Sequence, residues 1–172
     1  MAGRTGPDEV DEMLAQWRAE MPEADASPLA VFGRLHRSFD RYHRHLTRVF
    51  ARHGITVADF GILAALRRGG APYRRTAGDL ADTTLLTTGG ITQRVDKLVR
   101  AGLVRRDRDS GDRRVVFIGL TDEGVAATDK VVAEHFPAEN RMLAGLTAGE
   151  RAQLAKLLGR LERSLAEAEP GR

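Results

Sequence analysis

The 172-residue sequence contains no cysteine, so disulfides, thiolate metal sites and cysteine nucleophiles are excluded. No apolar run approaches the roughly 18–20 residues of a membrane-spanning helix. Residues 1–18 also lack the apolar stretch of a signal peptide. A cytoplasmic protein with no membrane partner is expected. Internal repeats and low-complexity tracts are missing too. There is no His-Glu-x-x-His, no phosphate loop and no Gly-x-Ser-x-Gly elbow. No enzyme activity, catalytic residue, metal ligand or cofactor is therefore expected, and Asp79 and Asp82, three apart, read as capping and surface carboxylates.

Hydrophobic residues make up 42% of the chain and charged residues 30%, which suits one compact module that buries its own core. The formal net charge of +3 says little by itself, but its distribution is uneven. Between Arg94 and Arg114 lie eight basic residues against four acidic ones, so this stretch is +4 and the remainder −1. A local positive field on an otherwise balanced chain is the electrostatic footprint of a DNA reader.

Apolar spacing predicts a helix over Glu9–Glu20, with Val10, Met13, Leu14 and Trp17 on one stripe. A second, long helix should start with Ser27 as cap and Pro28 as first residue, and end before Gly54. Its stripe runs from Val31 and Phe32 to Val49 and Phe50. Thr56–Asp59 and Thr76–Asp79 read as capping boxes that open two further helices. Thr87-Thr88 can cap a helix from Gly89 to Ala101, stopped by Gly102. Leu103–Asp107 and Val115–Leu120 read as two short strands joined by a polar, glycine-containing tip. Thr121 caps a long helix to about Gly145. Thr147–Glu150 boxes a last one through Leu154, Leu157, Leu158, Leu161 and Leu165.

The expected fold is therefore mainly α: a winged helix-turn-helix with a two-stranded β-wing, flanked by helices. Its parts are residues 1–54 (N-terminal helices), 55–120 (DNA-binding domain) and 121–172 (C-terminal helices). In such a unit the N-terminal residues of the second helix meet base edges in the major groove. Here they are Thr87, Thr88, Gly89, Gly90, Thr92, Gln93 and Lys97. Adjacent glycines at a helix start suggest close backbone approach, and Gln93 offers an amide fork to adenine. Ile91, Val95 and Leu98 should face the core. The hairpin carries Arg108 and Asp112-Arg113-Arg114, where a guanidinium on a stiff ribbon suits a narrow minor groove. An aspartate two residues away can fix that guanidinium with a two-pronged hydrogen bond.

Leu80–Leu120 resembles the winged helix of the MarR family of bacterial regulators. The likeness is carried by Thr88-Gly89-Gly90-Ile91-Thr92-Gln93-Arg94-Val95-Asp96-Lys97-Leu98, by Ala101-Gly102-Leu103-Val104, and by Asp112-Arg113-Arg114 with Leu120-Thr121. The resemblance implies a homodimer held by its N-terminal helices (residues 1–54, an extra helix and a dimerisation helix) and its C-terminal dimerisation helices (residues 121–172), bound to a palindromic double-stranded operator and acting as a repressor that a small organic, anionic or aromatic effector releases. It puts the family's wing-tip Asp-x-Arg on Asp112 and Arg114, making Arg114 the first candidate for the minor groove and Arg113 the second.

The N-terminal helix with Gln16-Trp17-Arg18 resembles the urate-responsive subgroup of that family. This implies ligand roles for Trp17, Arg94 and Arg106. Gly61 stands where the subgroup has an aspartate, which removes an anchor and opens space for a larger or differently charged molecule. Against these roles stand a packing anchor for Trp17 and phosphate contacts or internal salt bridges for the two arginines. His36, His43, His45 and His53 cluster in the second predicted helix among Arg37, Arg41, Arg44 and Arg48. They read as a solvated basic face rather than a metal site. They also leave the alternative of a pH-responsive or constitutive DNA-binding protein without an effector.

Overall fold

The computed structural model describes residues 6–84, 88–109, 111–112 and 114–168, with residues 88 and 89 described by backbone alone. Helix α1 (Glu9–Glu20) opens on a box made of two acids. The Asp8 carboxylate accepts the Val10 and Asp11 N–H groups at 2.9 and 3.1 Å, and the Asp11 carboxylate accepts the Asp8 N–H in return. Only half of its apolar stripe is used within the chain: Val10 and Leu14 are buried, while Met13 and Trp17 are exposed. Helix α2 (Leu29–Ala51) lies close beside it. A Cβ at Gly33 would come within 3.1 Å of Val10, which accounts for a glycine in mid-helix. Arg34 straps the pair together through Asp8 and Asp11 at 2.9 and 2.8 Å.

The predicted Ser27 cap is corrected: α2 begins one residue later, with Pro28 at the cap position and no side-chain hydrogen bond. Asp25 explains the shift, because its carboxylate takes the Ser27 N–H at 2.9 Å and forms a local turn ahead of the helix. At the other end the helix stops at Ala51, and Gly54 (φ +70°) turns the chain, so His53 lies beyond the helix rather than on its face.

Helix α3 (Val57–Arg68) opens on the Thr56–Asp59 box and α4 (Ala77–Thr83) on the Thr76–Asp79 box, both as the sequence predicts. Between them lies a strand that the sequence pattern does not predict, β1 (Arg74–Thr76). Three residues reading Arg-Arg-Thr carry no alternation to betray a strand. After α5 (Thr88–Arg100) come β2 (Val104–Arg108) and β3 (Val116–Leu120). All pairing is antiparallel, in the order β1-β3-β2, with Arg75 opposite Ile118 and Arg106 opposite Ile118 from the other side. The two-stranded wing is thus part of a three-stranded sheet.

Helix α6 (Asp122–Met142) is capped by Thr121, whose Oγ accepts the Gly124 N–H at 2.9 Å. Helix α7 (Ala148–Ala168) opens on the Thr147–Glu150 box. The chain divides into a compact unit over Gly6–His135 and a second one from Phe136 on. The core of the larger unit gathers Phe50, Ile62, Leu63, Leu66, Leu80, Ile91, Val95, Leu98, Ile118 and Val131. No helix among the described residues is long and apolar enough to cross a membrane.

Candidate nucleic-acid interface

Helix α5 is held by one face. Ile91, Val95 and Leu98 recur at helical spacing and are completely or almost completely buried. Each such side chain contributes about 1.5–3 kcal/mol on burial, so the helix cannot roll without losing most of that. The opposite face carries Thr92 and Gln93, both exposed. Thr87 lies outside the described residues, as do the side chains at positions 88 and 89.

Two basic residues of α5 are tied inward. Asp59 has no solvent exposure, and its Oδ2 receives the Lys97 ammonium at 2.7 Å and the Thr56 N–H at 2.9 Å. Its Oδ1 lies 3.4 Å from the Arg94 guanidinium, which also donates to Thr56 Oγ at 3.1 Å. Burial pushes the Asp59 carboxyl upward. The hydrogen bonds from Lys97 and Thr56 outweigh burial and hold it below the ordinary carboxylate value. The capping-box pattern identifies Asp59 as a cap but not as an ion partner. Its spacing of 35 and 38 residues from Arg94 and Lys97 carries no local sequence signal.

At the wing, Asp109 Oδ1 accepts the Gly111 and Asp112 N–H groups at 2.8 and 3.0 Å and shapes the tip. Those backbone donors hold its carboxyl below the ordinary range. Asp112 then grips Arg114 by both carboxylate oxygens, Oδ1 to Nε at 3.2 Å and Oδ2 to Nη2 at 3.3 Å, and also accepts the Arg114 N–H. The guanidinium is nevertheless 92% exposed: it is aimed without being covered. Arg108, at the end of β2, is exposed as well, whereas Arg113 lies outside the described residues. Strand β1 adds a cation that the sequence pattern did not single out, Arg74, stacked 4.4 Å over the Phe117 ring.

The four residues assigned to a ligand occupy separate settings. Arg94 lines a groove of about 300 Å³ formed with His43, Thr47, Ala51, Ile55, Thr56, Val57 and Ala58. Arg106 is paired with Asp96 at 2.6 Å, across the strand–helix junction. Trp17 is 48% exposed on α1, so among the described residues it lies outside the buried core. A Cβ at Gly61 would meet nothing within 4 Å, so the position does border open space. Among the described residues no set of three His, Cys, Asp or Glu side chains could hold a metal ion.

A model of the MarR family matches residues 53–115. Over 157 residues the chain is 40% identical to the HTH-type transcriptional regulator PecS of Dickeya dadantii, covering 91% of this chain and 95% of that one. Among solved structures it is similar to a mutant MarR from E. coli complexed with operator DNA. That match has a TM-score of 0.69 at 27% identity, over 80% of this chain and 99% of the other. It shares the fold of BpsR from Bordetella bronchiseptica, whose DNA binding is regulated by 6-hydroxynicotinic acid. There the TM-score is 0.68 at 24% identity, over 77% and 92% of the two chains.

Proposed function

The chain belongs to the MarR family of transcriptional regulators, and from that premise we propose that it represses transcription as a homodimer on a palindromic operator and leaves DNA when it takes up a small anionic or aromatic molecule. The observation that carries the reading is the pairing of two presentations. An α5 face of Thr92 and Gln93 stands opposite a locked apolar face, and an exposed guanidinium, Arg114, is steered by Asp112. In this reading residues 87–90, Thr92 and Gln93 enter the major groove. Arg114, with Arg108 and Arg113, enters the minor groove or its rim. Lys97 faces the same side but shares its charge with Asp59.

Residues 55–120 then form the reading domain, and residues 1–54 and 121–172 supply the dimer contacts. Exposed Val31, Phe32 and Phe39 on α2, and Leu154, Leu157, Leu158 and Leu165 on α7, support that assignment. An effector anion near Arg94 would compete with Thr56 and Asp59 for the guanidinium and so bear directly on the pose of α5. A tenfold loss of operator affinity needs only about 1.4 kcal/mol of such coupling. Trp17, Gly61 and Arg106 remain further effector positions in this reading.

The test is to select fragments of the host's genomic DNA on the purified protein and titrate the recovered duplexes by fluorescence anisotropy. Recovery of a recurrent inverted repeat, bound by two chains and released by a metabolite handled by neighbouring genes, is expected. Equal binding to selected and random duplex would reject the reading.

A further inference from the structure

The outer face of the sheet holds a cation that neither the reading helix nor the wing tip accounts for. Arg74, Arg105, Asp107 and Gly119 share that face: a Cβ at Gly119 would lie 3.4 Å from Arg74 Cβ, 3.7 Å from Asp107 Oδ2 and 3.8 Å from Arg105 Cζ. Arg105 is already engaged, by Asp107 at 2.8 Å and by the Leu120 carbonyl. Arg74 is exposed, and among the described residues no carboxylate forms a salt bridge with it.

The direction of that side chain is informative. Arg74 pairs in register with Gly119, yet its guanidinium sits 4.4 Å over the ring of Phe117, the residue opposite Thr76. It therefore runs diagonally, two residues or about 6–7 Å along β3, toward the turn that carries Arg114. Asp109 at the base of that turn feels it. After the Asp112 and Gly111 N–H groups, the Arg74 charge helps to hold the Asp109 carboxyl below the ordinary range. On the other side, Thr76 caps α4, the first helix of the helix-turn-helix, which in such motifs crosses the DNA backbone. Arg74 thus stands at the corner between a backbone-crossing helix and a groove-entering tip. Stacking restrains one face of its guanidinium and leaves the N–H edge for an acceptor.

We infer that Arg74 is a DNA-backbone contact, its guanidinium meeting a phosphate beside the groove that Arg114 enters. The inference rests on the operator reading above and adds to it an anchor on β1, outside both the reading helix and the wing tip. Because phosphates carry no sequence, Arg74 sets affinity and pose rather than base choice.

The test is fluorescence anisotropy of the full chain on a selected operator duplex and on a random duplex, between about 50 and 200 mM salt. Arg74→Met keeps a hydrocarbon cover on Phe117 and drops the charge. The salt slope of log K should fall by about 0.9 on both duplexes. Over that range the advantage of wild type should therefore shrink about 3.5-fold. Melting should match wild type, since position 74 is exposed. In an Arg114→Ala background, Arg74→Met should lower the slope by the same amount again, as two separate contacts require. An unchanged slope would overturn the inference, and so would a loss confined to the operator duplex. No further loss in the Arg114→Ala background would also overturn it, by making Arg74 a brace that acts through the wing tip. In each of these cases wild-type binding leaves the operator reading standing. Failure of the wild-type chain to bind any duplex would overturn both.

Discussion

Lys97 lies on the exposed side of α5, yet its ammonium is 2.7 Å from a carboxylate that solvent does not reach. The two possible duties of that side chain differ in a measurable way. A phosphate contact contributes about one unit to the salt slope of log K, whereas an internal clamp contributes to stability. Lys97→Met is expected to leave the slope unchanged and to lower stability by about 1–2 kcal/mol, allowing for an ammonium that is half in water. Denaturant melts and anisotropy at several salt concentrations check both. Asp59 supplies a pH signature. Its carboxyl is held below the ordinary value in the folded chain, so its contribution is complete above that value, about 3.9. The contribution is lost as pH falls through the lower folded value. The stability gap between wild type and Asp59→Asn should therefore be constant from neutral pH to about pH 5 and close below about pH 4. A gap that persists into acid would reject the ion pairing. None of this was legible in the sequence, which showed Asp59 only as the third residue after Thr56. Local capping chemistry repeats at fixed offsets; a partner on another helix does not.

At the scale of the element, the helices were largely readable because their signals are local. Three Thr-led boxes open α3, α4 and α7 where the sequence places them. The failures have physical causes of the same kind. Asp25 draws the Ser27 N–H into a turn, and β1 is too short to alternate. The wing yields a paired prediction. Arg114→Ala should weaken operator binding and lower the salt slope by about one. Asp112→Ala should weaken binding several-fold while keeping the slope, because the cation survives and only its aim is lost. Identical slopes for both variants would reject Arg114 as a groove contact. A second joint lies at the start of α6, where a Cβ on Gly124 would fall 1.9 Å from the Leu103 carbonyl oxygen. Gly124→Ala must push the backbone link between α5 and β2 away from α6. A loss of about 1–3 kcal/mol, the usual range for overpacking, is expected in denaturant melts. An alanine variant as stable as wild type would show that the joint can give.

Over the whole molecule, the described residues leave apolar side chains uncovered on α2 and α7, and no described α7 residue is buried. Leu157→Asp with Leu158→Asp should convert a two-chain species to one chain in sedimentation experiments, with helical circular dichroism retained. A wild-type protein that sediments as one chain at micromolar concentration would remove the basis for symmetric operator binding. Sequence could show that these leucines form a stripe, but not whether the chain's own residues cover it. Those bare leucines also have a genetic consequence. If occupancy of a promoter requires two copies to meet first, then at low abundance it grows with the square of the number of chains per cell. Halving expression would then cut occupancy about fourfold, where a single chain on a single site would lose only about half.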